Sequence, residues 1–207
     1  SLNLSFLASL GESNSDFSIT DVFYEIENST NQKSLNDEIW LVDVTDVYDR
    51  GELAEIIDTI CSYAPVVVGI DIIFEGVKGD TAANQKLTEV LSLNDNIVCG
   101  FKLTEYDQGT NEFHNAVLPF FGIDTTKVFG YANLTTSSNA DITRMLSYNR
   151  TYMGQTAYSL PNVIAHQALK TDPDEKSDRF IDYASTEFQV LLPSELFAFK
   201  EELKGKI

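Results

Sequence analysis

Apolar and polar positions follow two different periods in the first half of the chain. Segments 39–46, 66–74 and 96–103 are short, nearly continuous apolar runs, which are typical of strands in a sheet covered on both faces. Between them, segments 49–64 and 81–95 carry apolar residues at the i, i+3, i+4, i+7 spacing of an amphipathic helix. This order predicts a βαβαβ unit with right-handed crossovers.

Capping residues mark the ends of both predicted helices. Asp49 with Glu52 three residues later has the pattern of a capping box, and Pro65 ends the first helix. Asp80 is the predicted N-cap of the second helix. The sequence therefore predicts helices that begin close to residues 50 and 81.

The second half of the chain has a different pattern. Segments 127–134 and 142–152 alternate more strongly and carry aromatic and β-branched residues, as antiparallel or edge strands do. Later elements are predicted as helices at 159–169 and 193–203, a short strand at 179–184 and the beginning of a strand at 204–207.

No linker separates the two halves. We therefore predict one α/β domain with a mixed sheet flanked by helices, a βαβαβ first half and antiparallel additions in the second half. Residues 1–38 are predicted to form an irregular entry segment, because 27–38 is a polar run, and 39–207 the core.

The amino-acid composition limits the kinds of partner that the chain is expected to bind. The chain has 207 residues, 43% of them hydrophobic, which is enough for one sizeable core. Its 32 acidic and 14 basic side chains give a net charge of -18, which argues against binding to nucleic acid or to an anionic membrane surface. The longest apolar runs have the length of strands, so we expect no membrane-spanning segment within these residues.

Cysteine and histidine content gives no evidence of a metal centre. Cys61 and Cys99 are too few for a disulfide framework and are expected to be buried thiols. Neither His114 nor His166 has metal-ligand spacing to either cysteine. No cofactor is predicted.

Four carboxylates follow the first two predicted strands and are the candidate functional groups of the chain. They are Asp43, Asp46, Asp71 and Glu75. Ligands of open α/β sheets bind beyond the carboxyl ends of the strands, so these groups could hold a divalent cation, bind a cationic ligand or act as acid and base. The alternative is that they only cap loops and helix N-termini.

Asp71 and Glu75 lie within the apolar run "VVVGIDIIFEG". Because a buried carboxylate needs a partner, we expect the Asp71 carboxylate to be paired with backbone N–H groups after Phe74 or with Arg144. The run resembles the DxxDxDxE strand of chitinase-like hydrolases only at Asp71 and Glu75, since Val68 and Ile73 replace two of the required aspartates. That interpretation is rejected, and no GxGxxG, GxxxxGK[ST], GxSxG or HExxH motif is present.

Several segments, in order, are similar to one known module. "FSITDVFYEI" (17–26) is similar to its entry element after a membrane helix, and "IWLVDVTDVYDRGELAEIIDTI" (39–60) to an opening strand that runs as "VDIDD" into a helix. "VVVGIDIIFEG" (66–76) is similar to a second strand of the form "GVAFDVLFSE". The acids of that pattern correspond to Asp71 and Glu75.

The most specific similarities come later in the chain. "FGYANLTTSSNADITR" resembles the pattern "vGhvN…DGvvR" at Gly130, Asn133, Asp141 and Arg144, with Ile142 where the pattern has glycine. "AYSLPNVIAHQAL" resembles a "PSLAL" helix.

The closing segment resembles "IDYRGP…PxxSF…LRGKIV". Tyr183 matches this pattern, whereas Ala184, Ser185 and Thr186 replace the arginine, glycine and proline that follow it. From Phe17 to Ile207 the chain thus resembles the second type of CHASE domain, the sensory extracellular domain associated with cyclases and histidine kinases.

This resemblance implies an extracytoplasmic domain, periplasmic or at the cell surface, of a bacterial membrane protein. One membrane helix would precede the domain, several would follow it, and the cytoplasmic output would be a nucleotide cyclase, a histidine kinase or a serine/threonine kinase. The implied ligand is an unknown small molecule or protein, and no ligand is generally established for the family.

Three hypotheses follow. The first is a sensory, ligand-binding domain without catalysis, with ligand contacts from Asp43, Asp46, Asp71, Glu75, Asn133 and Arg144. The second is a metal-dependent enzyme that uses the four carboxylates at the strand ends as oxygen ligands. The third is a structural role in which the domain forms a homodimer and transmits no ligand signal.

Overall fold

The structure is a computed structural model, and it describes residues 34–121, 128–133, 145–173, 178–180 and 186–207. Within these ranges the elements in chain order are β1 (Ser34–Val42), α1 (Arg50–Ser62), β2 (Val68–Ile70), α2 (Thr81–Leu93), β3 (Ile97–Asp107), β4 (Glu112–Val117), β5 (Val128–Tyr131), β6 (Met145–Leu146), β7 (Asn149–Tyr152), β8 (Gln155–Tyr158), α3 (Leu160–Leu169), β9 (Arg179–Phe180), β10 (Thr186–Leu191), a 3₁₀ helix (Pro193–Phe199) and α4 (Lys200–Leu203). The predicted mixed α/β class is confirmed.

Both predicted helix starts are confirmed by their caps. The Asp49 carboxylate accepts a hydrogen bond from the Glu52 N–H at 2.9 Å, and the Asp80 carboxylate accepts one from the Ala82 N–H at 3.2 Å. Each bond satisfies an N–H group that has no partner within the helix. The boundaries of α1 and α2 therefore follow from local chemistry.

A parallel sheet forms the centre of the domain. β3 pairs in parallel with β2 on one side and with β5 on the other. Its residues Ile97 to Phe101 are all buried. Helices α1 and α2 cover one face of the sheet, where Leu53, Leu87 and Cys99 share one apolar cluster.

Helix α3 covers the other face of this sheet. Leu160 and Val163 pack there with Val67 and Val98. Burial on both faces explains why the strands appear as continuous apolar runs in the sequence.

The second half adds antiparallel pairs, as predicted, but the expectation of an antiparallel strand at 127–134 is wrong, because β5 pairs in parallel with the buried part of β3. β4 pairs in antiparallel with the second half of β3. β7 pairs in parallel with β4 and in antiparallel with β8. The predicted strand at 142–152 is interrupted: β6 pairs with β9, whereas β7 joins the sheet of β4. The predicted helix at 193–203 begins as the 3₁₀ helix and becomes α-helical only at Lys200.

The partner of β1 differs from the one that the βαβαβ pattern predicts. β1 pairs in parallel with β10 and not with β2. It also begins at Ser34, within the predicted entry segment, and its register shifts between Asn36 and Trp40. At this shift the Asn36 side-chain oxygen accepts hydrogen bonds from the N–H groups of Glu38 and Ile39.

Residues 206 and 207 lie between β1 and the residues that precede β2. The Ile207 N–H donates to the Glu38 carbonyl at 2.9 Å, and the Trp40 N–H donates to the Ile207 carbonyl at 2.9 Å. On the other side the Val66 N–H donates to the Lys206 carbonyl at 2.8 Å. Residues 204–207, where the sequence predicts the beginning of a strand, form no strand in the structure, but Ile207 has the backbone hydrogen bonds of a residue paired in parallel with β1.

Gly130 in β5 lets the sheet and α3 come close together. A Cβ atom at this position would lie 2.4 Å from the Cα and 2.7 Å from the N of Leu160, which are backbone atoms at the start of α3. Contacts this short cannot be relieved by moving a side chain, so glycine is required for the observed distance between β5 and α3.

We predict that Gly130→Ala lowers the free energy of unfolding by roughly 1–3 kcal/mol, because β5 and α3 must separate. Urea unfolding at neutral pH measures the change. Gly109→Ala is the matched control: it lies in the exposed turn after β3, its nearest new contact is the Asp107 Oδ1 at 3.2 Å, and a change within about 0.5 kcal/mol is expected. Equal stability of the two variants would contradict the role of Gly130.

Candidate functional site

An open apolar groove of about 270 Å³ separates β1 from β2. Helix α1 forms its floor, and residues 206 and 207 lie at one end. Most of its lining side chains are aliphatic or aromatic, among them Trp40, Val42, Leu53, Ile56, Ile57, Val68 and Ile70. Asp71 is the one acidic residue and Lys206 the one basic residue that line it.

Asp43 and Asp46 follow β1, as predicted. The Asp43 backbone N–H donates to the Leu191 carbonyl at 2.9 Å, and its carboxylate accepts from the Thr45 N–H at 2.9 Å. Hydrogen bonds from the hydroxyl and the N–H of Thr45 hold the pKa of the Asp43 carboxyl below its ordinary value. Asp43 thus stabilises the turn after β1, and the side chain of Asp46 is exposed.

Asp71 follows β2 directly and is exposed, although apolar residues flank it in the sequence. Its carboxylate has no hydrogen-bond or ion-pair partner among the described residues. The prediction that a backbone N–H after Phe74 binds it is therefore wrong. The strand ends at Ile70, and beyond that point the carboxylate reaches water. The other expected partner, Arg144, lies outside the described residues.

Glu75 also has an exposed side chain, and its backbone has the structural role. Its carbonyl accepts a hydrogen bond from the Arg50 Nη2 at 3.3 Å, and the residue forms an isolated antiparallel bridge with Pro119. Next to this bridge the Phe120 N–H donates to the Phe74 carbonyl at 2.8 Å. Glu75 thus belongs to the loop after β2, which its backbone joins to the residues after β4.

The four candidate carboxylates follow β1 and β2 in the chain but do not form a chelating group. Within the part of the chain that the structure describes, no three Asp, Glu, His or Cys side chains come close enough to hold a metal ion. The metal-dependent hypothesis needs such a group from these four residues, so the structure does not provide its required geometry.

The Asn133 side chain bonds to both backbone groups of one β3 residue. Its Oδ1 accepts from the Leu103 N–H at 2.7 Å, and its Nδ2 donates to the Leu103 carbonyl at 2.8 Å. The amide therefore replaces a neighbouring strand where β5 has ended. Of the other matched positions of this motif, Gly130 lies in β5, whereas Asp141 and Arg144 lie outside the described residues.

Arg50 is the centre of a polar network that the sequence did not predict. Its Nη2 donates to the Gly76 carbonyl at 2.8 Å, its Nη1 donates to the Asn84 side-chain oxygen, and its guanidinium lies 4.2 Å from the centre of the Phe120 ring. Burial lowers the pKa of Arg50 from its ordinary value.

Asn84 extends this network to the start of α2. It is buried, and its Nδ2 donates to the carbonyls of Lys78 at 2.8 Å and Asp80 at 2.6 Å. Together Arg50 and Asn84 connect the start of α1, the loop after β2 and the start of α2. No local motif signals contacts between residues 34 positions apart.

A second polar network lies at the carboxyl end of β5. The Tyr131 hydroxyl, which is buried, donates to the Ser147 carbonyl at 2.8 Å. Nearby, Arg150 forms a bidentate ion pair with Asp178, with both N–O distances 3.0 Å, and its Nη2 donates to the Ser147 hydroxyl. Such parallel bonds orient both side chains.

Burial raises the pKa of Tyr131 to about 12, with Arg150 opposing and Asp178 adding to the shift. The neutral phenol therefore contributes stability that is fully present below the unfolded-state pKa of about 10 and is lost as the pH rises towards 12. We predict that Tyr131→Phe is less stable than the parent by about 1 kcal/mol at pH 8 and that this difference shrinks above pH 10. Urea unfolding from pH 8 to 11 tests this, and a constant difference would contradict the prediction.

The exposure of Asp71 leads to another prediction. Because no described donor would lose its partner, Asp71→Ala is expected to change the free energy of unfolding by less than about 0.5 kcal/mol. Thermal unfolding without ligand measures it, and Asp49→Ala, which removes the N-cap of α1, is the positive control with an expected loss of about 1 kcal/mol. A loss for Asp71→Ala as large as the control would show that Asp71 has a structural partner.

None of the helices in the described ranges has the length and apolarity that a bilayer crossing requires. Neither the curated proteins nor the solved structures contain a match to the chain. A family model, described as CHASE2 domain, matches residues 5–205. This match covers nearly the whole sequence and agrees with the order of motifs along it, so the chain belongs to the CHASE2 family of sensory extracellular domains found in signalling proteins.

Proposed function

We propose that this chain is the extracytoplasmic, ligand-binding domain of a membrane-anchored bacterial signalling protein and has no catalytic activity of its own. The observation that carries the proposal is the CHASE2 match over residues 5–205. Flanking membrane helices would connect the domain to a cytoplasmic output, and a homodimer is the second kind of partner that the proposal includes.

The charge of the chain supports a position in water next to a membrane. A net charge of -18 repels the anionic surface of a bilayer and the phosphates of nucleic acid. A domain with this charge would therefore be held near a membrane by its anchors and not by adsorption of its own surface.

We propose the edge after β1 and β2 as the place where ligand is contacted. The exposed carboxylates of Asp46 and Asp71 support this, because they are available to a cationic group of a small molecule or protein. Asp43 and Glu75 follow the same two strands in the chain, with Asp43 already bonded to Thr45. Asn133 would support this region of the sheet through Leu103, and Arg144 remains a proposed contact.

The location of the domain can be tested in the full-length protein with two reporters. The exposed turn between β3 and β4, at Gly109, accepts an insertion without breaking a strand. A phosphatase that is active only outside the cytoplasm should be active at this position, whereas a fluorescent protein that folds only in the cytoplasm should remain dark. The opposite pattern would overturn the extracytoplasmic proposal.

The absence of catalysis needs its own experiment. The purified chain is expected to show no turnover in broad hydrolase and phosphatase screens with and without divalent cations. Asp71→Asn, which keeps the size of the side chain, is the matched variant. Metal-dependent turnover that disappears in Asp71→Asn would establish an enzyme and overturn this part of the proposal.

A further inference from the structure

The β1–β10 pair carries apolar side chains on both of its faces. Trp40, Val42 and Leu191 are on the inner face, where they pack with residues of α1 and the 3₁₀ helix. Because side chains alternate between the two faces of a sheet, the neighbouring residues point to the opposite, outer face. These outer residues are Leu41, Phe188, Val190 and Leu192. Each of them is between 41% and 53% exposed.

The four outer residues form one continuous apolar surface, which we call the outer patch. Leu41 is the register partner of Val190, so their side chains are neighbours on the same face. Phe188 and Leu192 lie two positions before and after Val190, and the extended backbone of Leu192 continues the alternation of β10. Single exposed apolar side chains are ordinary, but a continuous patch of large ones indicates a surface that another element covers.

No element within the described ranges covers the outer patch. Helix α1 packs against the inner face of the β1–β10 pair and against the same face of the central sheet. Helix α3 covers the other face of the central sheet, and its apolar cluster contains Val67 and Val98 but no residue of β1 or β10. Parallel strands are usually covered on both faces, so one helix is missing on the α3 side of this pair.

Residues 19–26 have the sequence pattern of the missing helix. They lie outside the described residues, so this helix is predicted from the sequence alone. Ser18 followed by Asp21 has the spacing of a helix start, and a polar run begins at residue 27. The apolar residues between these two signals have the i, i+3, i+4, i+7 spacing of one helix face, and they are Ile19, Val22, Phe23 and Ile26.

The dimensions of this segment fit the outer patch. A helix of residues 19–26 is about 12 Å long, and the outer patch from Phe188 to Leu192 is about 13 Å long. Residues 27–33 connect the segment to Ser34 at the start of β1, and an extended chain of that length reaches about 23 Å. The short connection keeps the segment at a high effective concentration beside β1 and β10.

Two further observations favour this segment over a second copy of the chain. The CHASE2 match begins at residue 5, so it includes residues 19–26 within the domain. A net charge of -18 makes two identical chains repel each other, whereas the segment is already linked to β1.

We propose that residues 19–26 form a helix whose apolar side packs on the outer patch of the β1–β10 pair. The helix lies on the same side of the fold as α3 and completes the cover of the parallel strands. Phe23 faces the outer patch, and Tyr24, the next residue, lies on the side of the helix that faces water. This inference does not depend on the proposed function.

The test uses the full 207-residue chain and NMR of its methyl groups. Nuclear Overhauser contacts are measured between the side chains of residues 19–26 and the outer patch. The accessibility of the outer-patch methyl groups is measured from their broadening by a soluble paramagnetic agent. Leu93 at the end of α2, which is 82% exposed, is the internal reference for an uncovered methyl group.

The parent should show contacts from Phe23 to the methyl groups of Val190 or Leu192, and these methyl groups should be broadened several-fold less than those of Leu93. Phe23→Asp should abolish the contacts and raise the broadening to the level of Leu93, because a carboxylate replaces the apolar anchor. Tyr24→Asp is the matched control. It exchanges an aromatic residue for the same charge on the water-facing side, so contacts and broadening should remain as in the parent.

The parent alone can overturn the proposal, whether or not the variants fold. No contact between residues 19–26 and the outer patch, or outer-patch methyl groups as accessible as Leu93, would do so. Contacts that join differently labelled chains in a mixed sample, and that weaken on dilution, would identify a second copy as the occupant and would also overturn it. Equal loss of contacts in Phe23→Asp and Tyr24→Asp would contradict the proposed orientation of the helix.

Discussion

Backbone N–H and C=O groups in a buried sheet must find partners, and this constraint organises the domain. β3 satisfies it most completely, with β2 and β5 on its two sides and helices on its two faces. Where β5 has ended, the Asn133 amide takes over both backbone groups of Leu103. At β1 the same requirement is met by β10 on one side and, over its first part, by Ile207 on the other.

Polar residues in the interior form hydrogen bonds within this framework. Arg50 and Asn84 satisfy the carbonyls of the loop after β2 and fix the starts of α1 and α2. Around β5, Tyr131 and the Arg150–Asp178 pair bond to Ser147 and connect β5 with the later strands. By contrast, Asp46 and Asp71 are exposed at the edge where the strands end. The polar networks of the interior and the exposed carboxylates at the strand ends thus lie in different parts of the fold.

The apolar groove is formed by elements of this framework. It lies between the β1–β10 pair and the central sheet, and its floor is α1, which α2 and the 3₁₀ helix also contact.

The sequence by itself determined the features that depend on neighbours a few residues apart. Asp49 and Asp80 cap helices where their local patterns predict them, and the alternation of periods identifies the α/β class and the buried β2 and β3 runs, whereas the parallel pairing of β5 was not predicted. The motif order also indicated the CHASE2 family, since it needs no contact information. These features are local because capping and periodicity involve residues within one or two turns.

Only the tertiary structure decided the features that join distant segments. It paired β1 with β10, placed Ile207 beside Glu38 and Trp40, and joined Arg50 to Asn84. It also left Asp71 in water, whereas the apolar residues around it had indicated burial with a partner. Each of these features depends on which distant segment pairs with a given strand edge. Local sequence patterns do not specify that choice, because many different segments could form the same backbone hydrogen bonds.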